Sequence, residues 1–473
     1  MKKSLSVILA FLMLLGLAGC TGGSAPQTPA EQPAPQQTEA AVPTETFVAE
    51  NKAPQAAEPE VTWRFDVQTE KSEQNSKADD GTQLAWTAYE TPRLTLQSDS
   101  GAAGAQPPAD MAAACDAFNA EIERFLASLP SAESLSESAL EQYNETDEEY
   151  RSTFSSYYEG TDVVTSYLAG DLLCVTQMRY AYYGGAHGSE GYFSWNFDLA
   201  TGEFFDWKDL TDDPDALCEE LRWNILGKIA EQGQAEWCFD DYNNTILAKE
   251  DFNVAFGEDG MTVYFSEYEI MPYAGGIPEY MIPYAEFGRF LNARGERLLA
   301  LSDEDRALSD YYDAEEMWYW FEGAMPVDMD DVRTARANTA YGEYELDYYR
   351  VDMKGVNTLD ALRARMLTRF DEAVADKRIE SYTSDQNQML REFDGVLYFC
   401  PAGRGTDMYI DSVDFAVDMG EGGREGRVLG TIHWRDYDEE KSEWYLTGET
   451  AEVAFPFVMT EDGACFTDFQ AIY

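Results

Sequence analysis

The spacing of apolar residues changes period several times along the chain, and each change marks an element. In "VTWRFDV", Val61, Trp63, Phe65 and Val67 alternate with Thr62, Arg64 and Asp66, the period of a strand with one face buried. A second strand pattern covers residues 84–96. In "ADMAAACDAFNAEIERFLASLP" the residues Met111, Cys115, Phe118, Ile122, Phe125 and Leu129 recur at helical spacing between Pro107–Pro108 and Pro130. That predicts an amphipathic helix lying on the sheet. After the acidic stretch "ETDEEYRS", strand patterns resume at 163–167 and 172–183, joined by Gly170 and Asp171, and lead into "YYGGAHG". A hairpin follows in "YFSWNFDLATGEFFDW", turning at Asp198, Thr201 and Gly202. Asp213 is the expected N-cap of a helix with Pro214 at its first position; Leu217, Leu221, Ile225 and Ile229 lie on one face and Gly233 ends it. "FNVAFGEDGMTVYFSEYEI" reads as a hairpin turning at Asp259 and Gly260.

Past residue 300 the chain turns polar and acidic in "LSDEDRALSDYYD", and a domain boundary is placed near residue 303. "DAEEMWYWFEGAM" predicts a helix with Met317, Trp320 and Phe321 inward, and "NTLDALRARMLTRF" another on Leu359, Leu362, Met366 and Phe370. Strands dominate from "GVLYFC" through "RVLGTIHW" and "EWYLTG" to "EVAFPFVM". Runs of strands followed by helices, without regular strand–helix alternation, predict an α+β fold with antiparallel sheets and packed helices rather than a parallel doubly wound sheet.

The amino end carries a different signal. Lys2 and Lys3 precede an apolar run over residues 5–17 that closes on "LAGC", too short for a membrane span and ending in small residues, as an export signal does. Cys20 after Leu-Ala-Gly resembles the lipobox of bacterial lipoproteins. That resemblance implies cleavage after residue 19, lipid on the Cys20 thiol and anchorage to the outer face of a membrane. Residues 20–60, rich in Pro, Ala, Gln, Thr and Glu, are expected to form a disordered tether. No later segment holds the roughly 18 unbroken apolar residues of a span, so an extracytoplasmic, soluble body is expected.

The formal net charge of −56 makes nucleic acid a poor partner and steers cationic proteins inward. Acidity alone also serves solubility, so a second signal is needed. Of the seven cysteines, six lie beyond Cys20, and outside the cytoplasm they can pair in many ways. Cys400 with Cys465 is the expected disulfide; reduced core thiols are the alternative.

The strong enzyme fingerprints, GxSxG, HExxH, paired CxxC, a Walker loop and a GxGxxG after a strand, are missing from the sequence. With 89 acidic residues, carboxylate pairs arise by chance and identify no glycosidase. Of the two histidines, His433 reads as an exposed strand residue. His187 has Glu190 three residues on, a weak ligand pair against the commoner turn histidine. No metal or other cofactor is expected, and no catalytic residue.

From Tyr180 to Leu210, Gly184, Gly185, Ala186, His187, Asn196, Asp198, Thr201, Gly202, Asp209 and Leu210 resemble the extracellular domain shared by the RsiV anti-sigma factors and the N-terminal region of the PdaC peptidoglycan deacetylases. Tyr268, Glu269, Ile270, Pro272, Tyr273, Ala274, Gly276 and residues 282–284 extend the likeness, and Asn119 and Ile122 resemble the smaller domain preceding it. The resemblance spans about residues 61–300 and implies work at the peptidoglycan layer, where RsiV domains bind lysozyme. A sigma-binding segment and a deacetylase domain are missing from the pattern, so neither activity is implied. Residues 312–473 more loosely resemble the IseA inhibitors of cell-wall DL-endopeptidases, through Asp394, Gly395, Leu397, Tyr398, Arg404 and Gly405.

The expected organisation is a signal peptide (1–19), a linker (20–60), an N-terminal subdomain (61–160), an RsiV-like domain (161–300) and an IseA-like domain (303–473). The expected function is non-enzymatic: a surface lipoprotein that binds, and thereby senses or inhibits, a cationic wall hydrolase, lysozyme or an endopeptidase. The candidate anchors are Tyr182, Tyr183, Tyr268, Pro272, Tyr273 and Ile277, with His187 fixing its loop. Any one tyrosine is as readily explained by core packing. A glycan-acting enzyme or a peptidoglycan-binding structural protein are the alternatives.

Overall fold

A computed structural model describes residues 62–99, 106–339, 341–401, 409–438 and 441–472. The signal peptide, Cys20, the linker, Arg404 and Gly405 lie outside the described residues. The architecture is α+β.

A six-stranded sheet opens the fold: β1 (Trp63–Lys77), β2 (Gln83–Ser98), β3 (Tyr157–Ala169), β4 (Leu172–Tyr182), β5 (Ser189–Asp198) and β6 (Glu203–Phe204), in spatial order of sequence. Every pairing is antiparallel except β2 with β3. A parallel pair needs a crossover, supplied by α1 (Ala109–Ser128) and α2 (Ala132–Glu145). α1 buries Ala114, Cys115, Phe118 and Ile122 against Leu94, Leu173, Val175 and Phe197. α2 buries Leu135, Ala139 and Tyr143 against Leu84, Ala85 and Tyr157. Residue 160 lies inside β3, so one sheet carries strands from both sides of that expected division.

The opposite face of the sheet receives a second layer: α3 (Pro214–Glu231), α4 (Tyr242–Ala248), β7 (Asn253–Phe256), β8 (Gly260–Tyr264), β9 (Glu279–Pro283), α5 (Tyr284–Phe287) and α6 (Ala293–Leu299). Asp213 caps α3 by accepting from the Ala216 amide at 3.2 Å, as its sequence predicts. Leu217, Leu221, Ile225 and Ile229 pack on the β7–β8–β9 sheet, and that core continues to Leu172 and Cys174 of β4. The Asn196 side-chain amide donates to the Val254 carbonyl across the two layers.

The remaining helices and strands are α7 (Asp303–Tyr319), β10 (Val327–Thr339), β11 (Gly342–Val351), α8 (Leu359–Met366), α9 (Glu372–Thr383), β12 (Leu390–Phe393), β13 (Val396–Phe399), β14 (Ile410–Met419), β15 (Glu425–Asp438), β16 (Glu443–Thr460) and β17 (Gly463–Phe466). They form two four-stranded sheets, ordered β10-β11-β13-β12 and β14-β15-β16-β17. α7 starts ten residues before the expected helix at 313. Ser302 caps it, three acids occupy its first turn, and Ala307 and Tyr311 are buried, so the polar stretch is the start of a helix favoured by its dipole. Met317, Trp320 and Phe321 are buried as expected.

All six described cysteines are free, which corrects the expected Cys400–Cys465 disulfide. Cys400 follows β13 in one sheet and Cys465 lies in β17 of the other. Burial pushes the Cys115 and Cys174 thiols up to about 11 and 12, where little reactive thiolate forms.

Candidate functional site: an aromatic surface between two layers

The loop from β4 to β5 is built on two glycines. Gly184 (φ 90°) and Gly185 (φ 100°) occupy backbone that side chains disfavour, and the Tyr182 hydroxyl donates to the Gly185 carbonyl at 3.0 Å to close the turn. His187 follows. Its Nδ1 lies 2.7 Å from the Gly188 carbonyl, which can only accept, so Nδ1 carries the proton. In the neutral ring Nε2 then accepts from the Tyr268 hydroxyl, 3.0 Å away. The imidazole stacks on Tyr273 with ring centres 4.4 Å apart and 26° between planes, and Tyr268 stacks on Tyr273 at 6.2 Å.

Residues far apart in sequence therefore meet in one three-ring stack. Tyr268 sits at φ 62°, a conformation costly for an aromatic residue and kept only where neighbours enforce it. Glu269 does so by accepting from the Ser266 amide while pairing with Lys249 at 2.5 Å. Pro272 and Ile277, both half-buried, flank the turn that carries Tyr273.

Tyr182 and Tyr183 are adjacent in sequence and face opposite sides of the sheet. Tyr182 stacks on Tyr158 at 5.7 Å, and Tyr158 stacks on Trp86 at 5.1 Å, with Tyr180 beside both. A Cβ on Gly188 would lie 3.0 Å from the Tyr158 hydroxyl, so this strip reaches the His187 loop. Trp86, Tyr158 and Tyr180 escape sequence reasoning. The only available signal is the alternation of Tyr180 with Tyr182; the parallel pairing that places Trp86 next to Tyr158 spans α1 and α2.

Tyr183 serves the other face. Its hydroxyl donates to Glu159, whose fully buried carboxylate also meets Arg179 at 2.5 Å. Burial pushes the Glu159 carboxyl up, and Arg179 opposes the shift. Beside them opens a cleft of about 370 Å³ lined by Arg179, Tyr183, Ser189, Glu190, Tyr192 and Phe193.

The surroundings are acidic. Partial burial, then the Glu190 and Glu267 carboxylates, hold the Tyr273 phenol above its ordinary range. Burial, then Asp162, Glu90 and Glu73, do the same to Tyr180. Both nitrogens of His187 are engaged, and among the described residues no group of three or more His, Cys, Asp and Glu is placed to hold a metal. His433 lies on β15 with Nε2 2.7 Å from Asp414.

Residues 208–285 match the family described as "Protein of unknown function (DUF3298)". The match takes in Tyr268, Pro272, Tyr273 and Ile277 and begins after the His187 loop. Among solved structures, a DUF3298 member from Bacteroides fragilis is 20% identical, covering 49% of this chain and 96% of its own, with a TM-score of 0.34. A DUF3298 protein from Pseudomonas aeruginosa is 18% identical over 49% and 95%, with a TM-score of 0.32. Likenesses this distant carry no functional argument. No curated protein matches the chain. The family match is to residues 208–285 alone; the RsiV, PdaC and IseA likenesses rest on the motifs quoted above.

Proposed function

We propose that this protein is a surface lipoprotein that captures a cationic peptidoglycan hydrolase and thereby senses or inhibits it. The observation that carries the reading is the stack of His187, Tyr268 and Tyr273, continued by Tyr182, Tyr158 and Trp86 beside Glu190 and Glu267. Such rings offer large apolar area with little conformational freedom to lose, the character of binding hot spots. The acidic surroundings select basic partners and speed encounter. The RsiV likeness points to lysozyme and the IseA likeness to a DL-endopeptidase. Lipid on Cys20 would keep the capturing surface where such enzymes act. No step in this function breaks a bond.

The test is surface plasmon resonance of the purified chain against hen lysozyme and a DL-endopeptidase, alongside a muropeptide digestion assay. Saturable binding without digestion is expected. Release of muropeptides by the chain itself, or indifference to every basic wall hydrolase, would overturn the reading.

A further inference from the structure

The hairpin formed by the distal halves of β15 and β16 stands apart from any core. Pairing is regular from Gly426 to His433, where His433 faces Thr450. It then shifts, and Arg435 faces Leu446, Tyr437 faces Trp444 and Asp438 faces Glu443. The residues Thr447, Gly448 and Glu449 are left opposite Trp434. Gly448 takes φ 76°, and the Thr447 hydroxyl donates to the Trp434 carbonyl while accepting from the Glu449 amide. Extra residues on one strand bend it and increase its twist. Beyond this bulge the two strands form an arm: every residue of β16 from 443 to 450 is exposed, and among the described residues that stretch pairs with β15 alone.

Cross-strand partners share a face, so the arm's two faces can be read from its register. One face carries Arg435, Tyr437, Trp444 and Leu446, joined by Tyr409 from the chain leading into β14. Trp444 lies 5.2 Å from Tyr437 and 5.9 Å from Tyr409, with the Arg435 guanidinium 4.8 Å above its ring. The other face carries Asp436, Asp438, Glu443 and Tyr445. Leu446 is 63% exposed and Trp444 39%. A ribbon open to water on both sides gains little from apolar packing, and a contiguous exposed apolar patch on it marks an interaction surface. Among the described residues from Arg435 to Glu449, Asp436, Asp438, Glu443 and Glu449 stand against Arg435 and Lys441.

We propose that the aromatic face of this arm is a second docking surface, for a basic protein. The rings supply the anchors. The acidic excess around them selects a cationic surface, whose Lys and Arg side chains can also lie over Trp444 and Tyr437. The choice of a basic partner rests on the function proposed above; the surface itself belongs to a different sheet from the His187 stack. Capture at two places on one chain raises overall affinity without either contact being strong.

The test measures binding of the full chain to hen lysozyme and to a DL-endopeptidase for wild type, the pair Trp444→Ala with Leu446→Ala, the single change Trp444→Phe, and Tyr273→Ala. The paired change is expected to raise Kd about tenfold for at least one partner while leaving the thermal midpoint unchanged, with Trp444→Phe largely retaining affinity. An arm variant that binds like wild type while Tyr273→Ala binds weakly overturns the arm and leaves the first reading standing. Loss confined to the arm variants overturns the His187 stack and supports the arm. Loss of retention on purified peptidoglycan, with protein binding intact, makes the occupant a glycan and overturns the proposal.

Discussion

Tyr273 is held before any partner arrives: His187 lies flat against it and Tyr268 stacks on it, so little rotamer freedom remains to be lost on binding. Tyr273→Ala is expected to cost about 2 kcal/mol of affinity, mostly as faster dissociation, with only a small loss of thermal stability, since the ring is 40% exposed and gives up just its stacking on His187 and Tyr268. Surface plasmon resonance separates the two rates; a change confined to association would contradict an anchoring role. A second prediction concerns Glu315 on α7, which accepts from the Tyr311 hydroxyl at 2.8 Å. Burial raises its carboxyl from the ordinary 4.5 to about 7. Between those values the folded chain keeps a proton that the unfolded chain has released. The contribution is full below the lower value and is lost as pH rises through the upper one. Asp310, raised by burial to about 6 against the pull of Arg369, acts in the same direction. Glu315→Gln is therefore expected to be nearly neutral at pH 5 and stabilising at pH 8, on the order of 1–2 kcal/mol, in urea titrations at the two pH values. Equal loss at both would contradict a titrating role.

At the scale of elements, α7 is stitched to its surroundings by charge. Arg369, in the turn between α8 and α9, reaches Asp310 at 2.9 Å and Asp313 at 2.7 Å, while Asp310 also accepts from the Ala464 amide at the start of β17. Asp313 has a second cation in Arg365 at 2.6 Å. Removing one partner of a buried pair strands the other. Arg369→Ala is thus expected to destabilise the protein by about 3–5 kcal/mol, and Arg365→Ala by clearly less, because Asp313 keeps Arg369. Denaturant midpoints decide the order, and a reversed ranking would refute this account. The same elements explain what the sequence discloses. α1 and α3 carry long apolar stripes and well-defined ends, and both are legible from spacing. α2 is not, because its buried face is Ala132, Leu135, Ala139 and Tyr143 among serines and glutamates. α9 fully buries Ala375 alone. In the site, glycines and motif order single out His187, Tyr268 and Tyr273, whereas Trp86 and Tyr158 become neighbours only through a long crossover that leaves no local trace.

At the scale of the molecule, the proposed capture assigns to the net charge of −56 the speed of a partner's arrival rather than the firmness of its hold. Charges beyond a Debye length of about 8 Å at physiological salt are largely screened, so long-range attraction to a basic hydrolase is the first thing salt removes. The contacts of the Tyr273 stack are short and apolar and respond little. Raising salt from about 0.02 to 0.5 M is therefore expected to slow association by roughly tenfold or more while dissociation changes by a small factor. Acetylating the lysines of the partner should weaken the salt dependence in step with the charge removed, the arginines keeping the remainder. Association rates that hold constant across that range would mean the acidity serves solubility alone, and partner choice would then rest on the rings. The two contributions are separable on one sensor surface: salt acts through the field, Tyr273→Ala acts through contact, and their effects on the free energy should add.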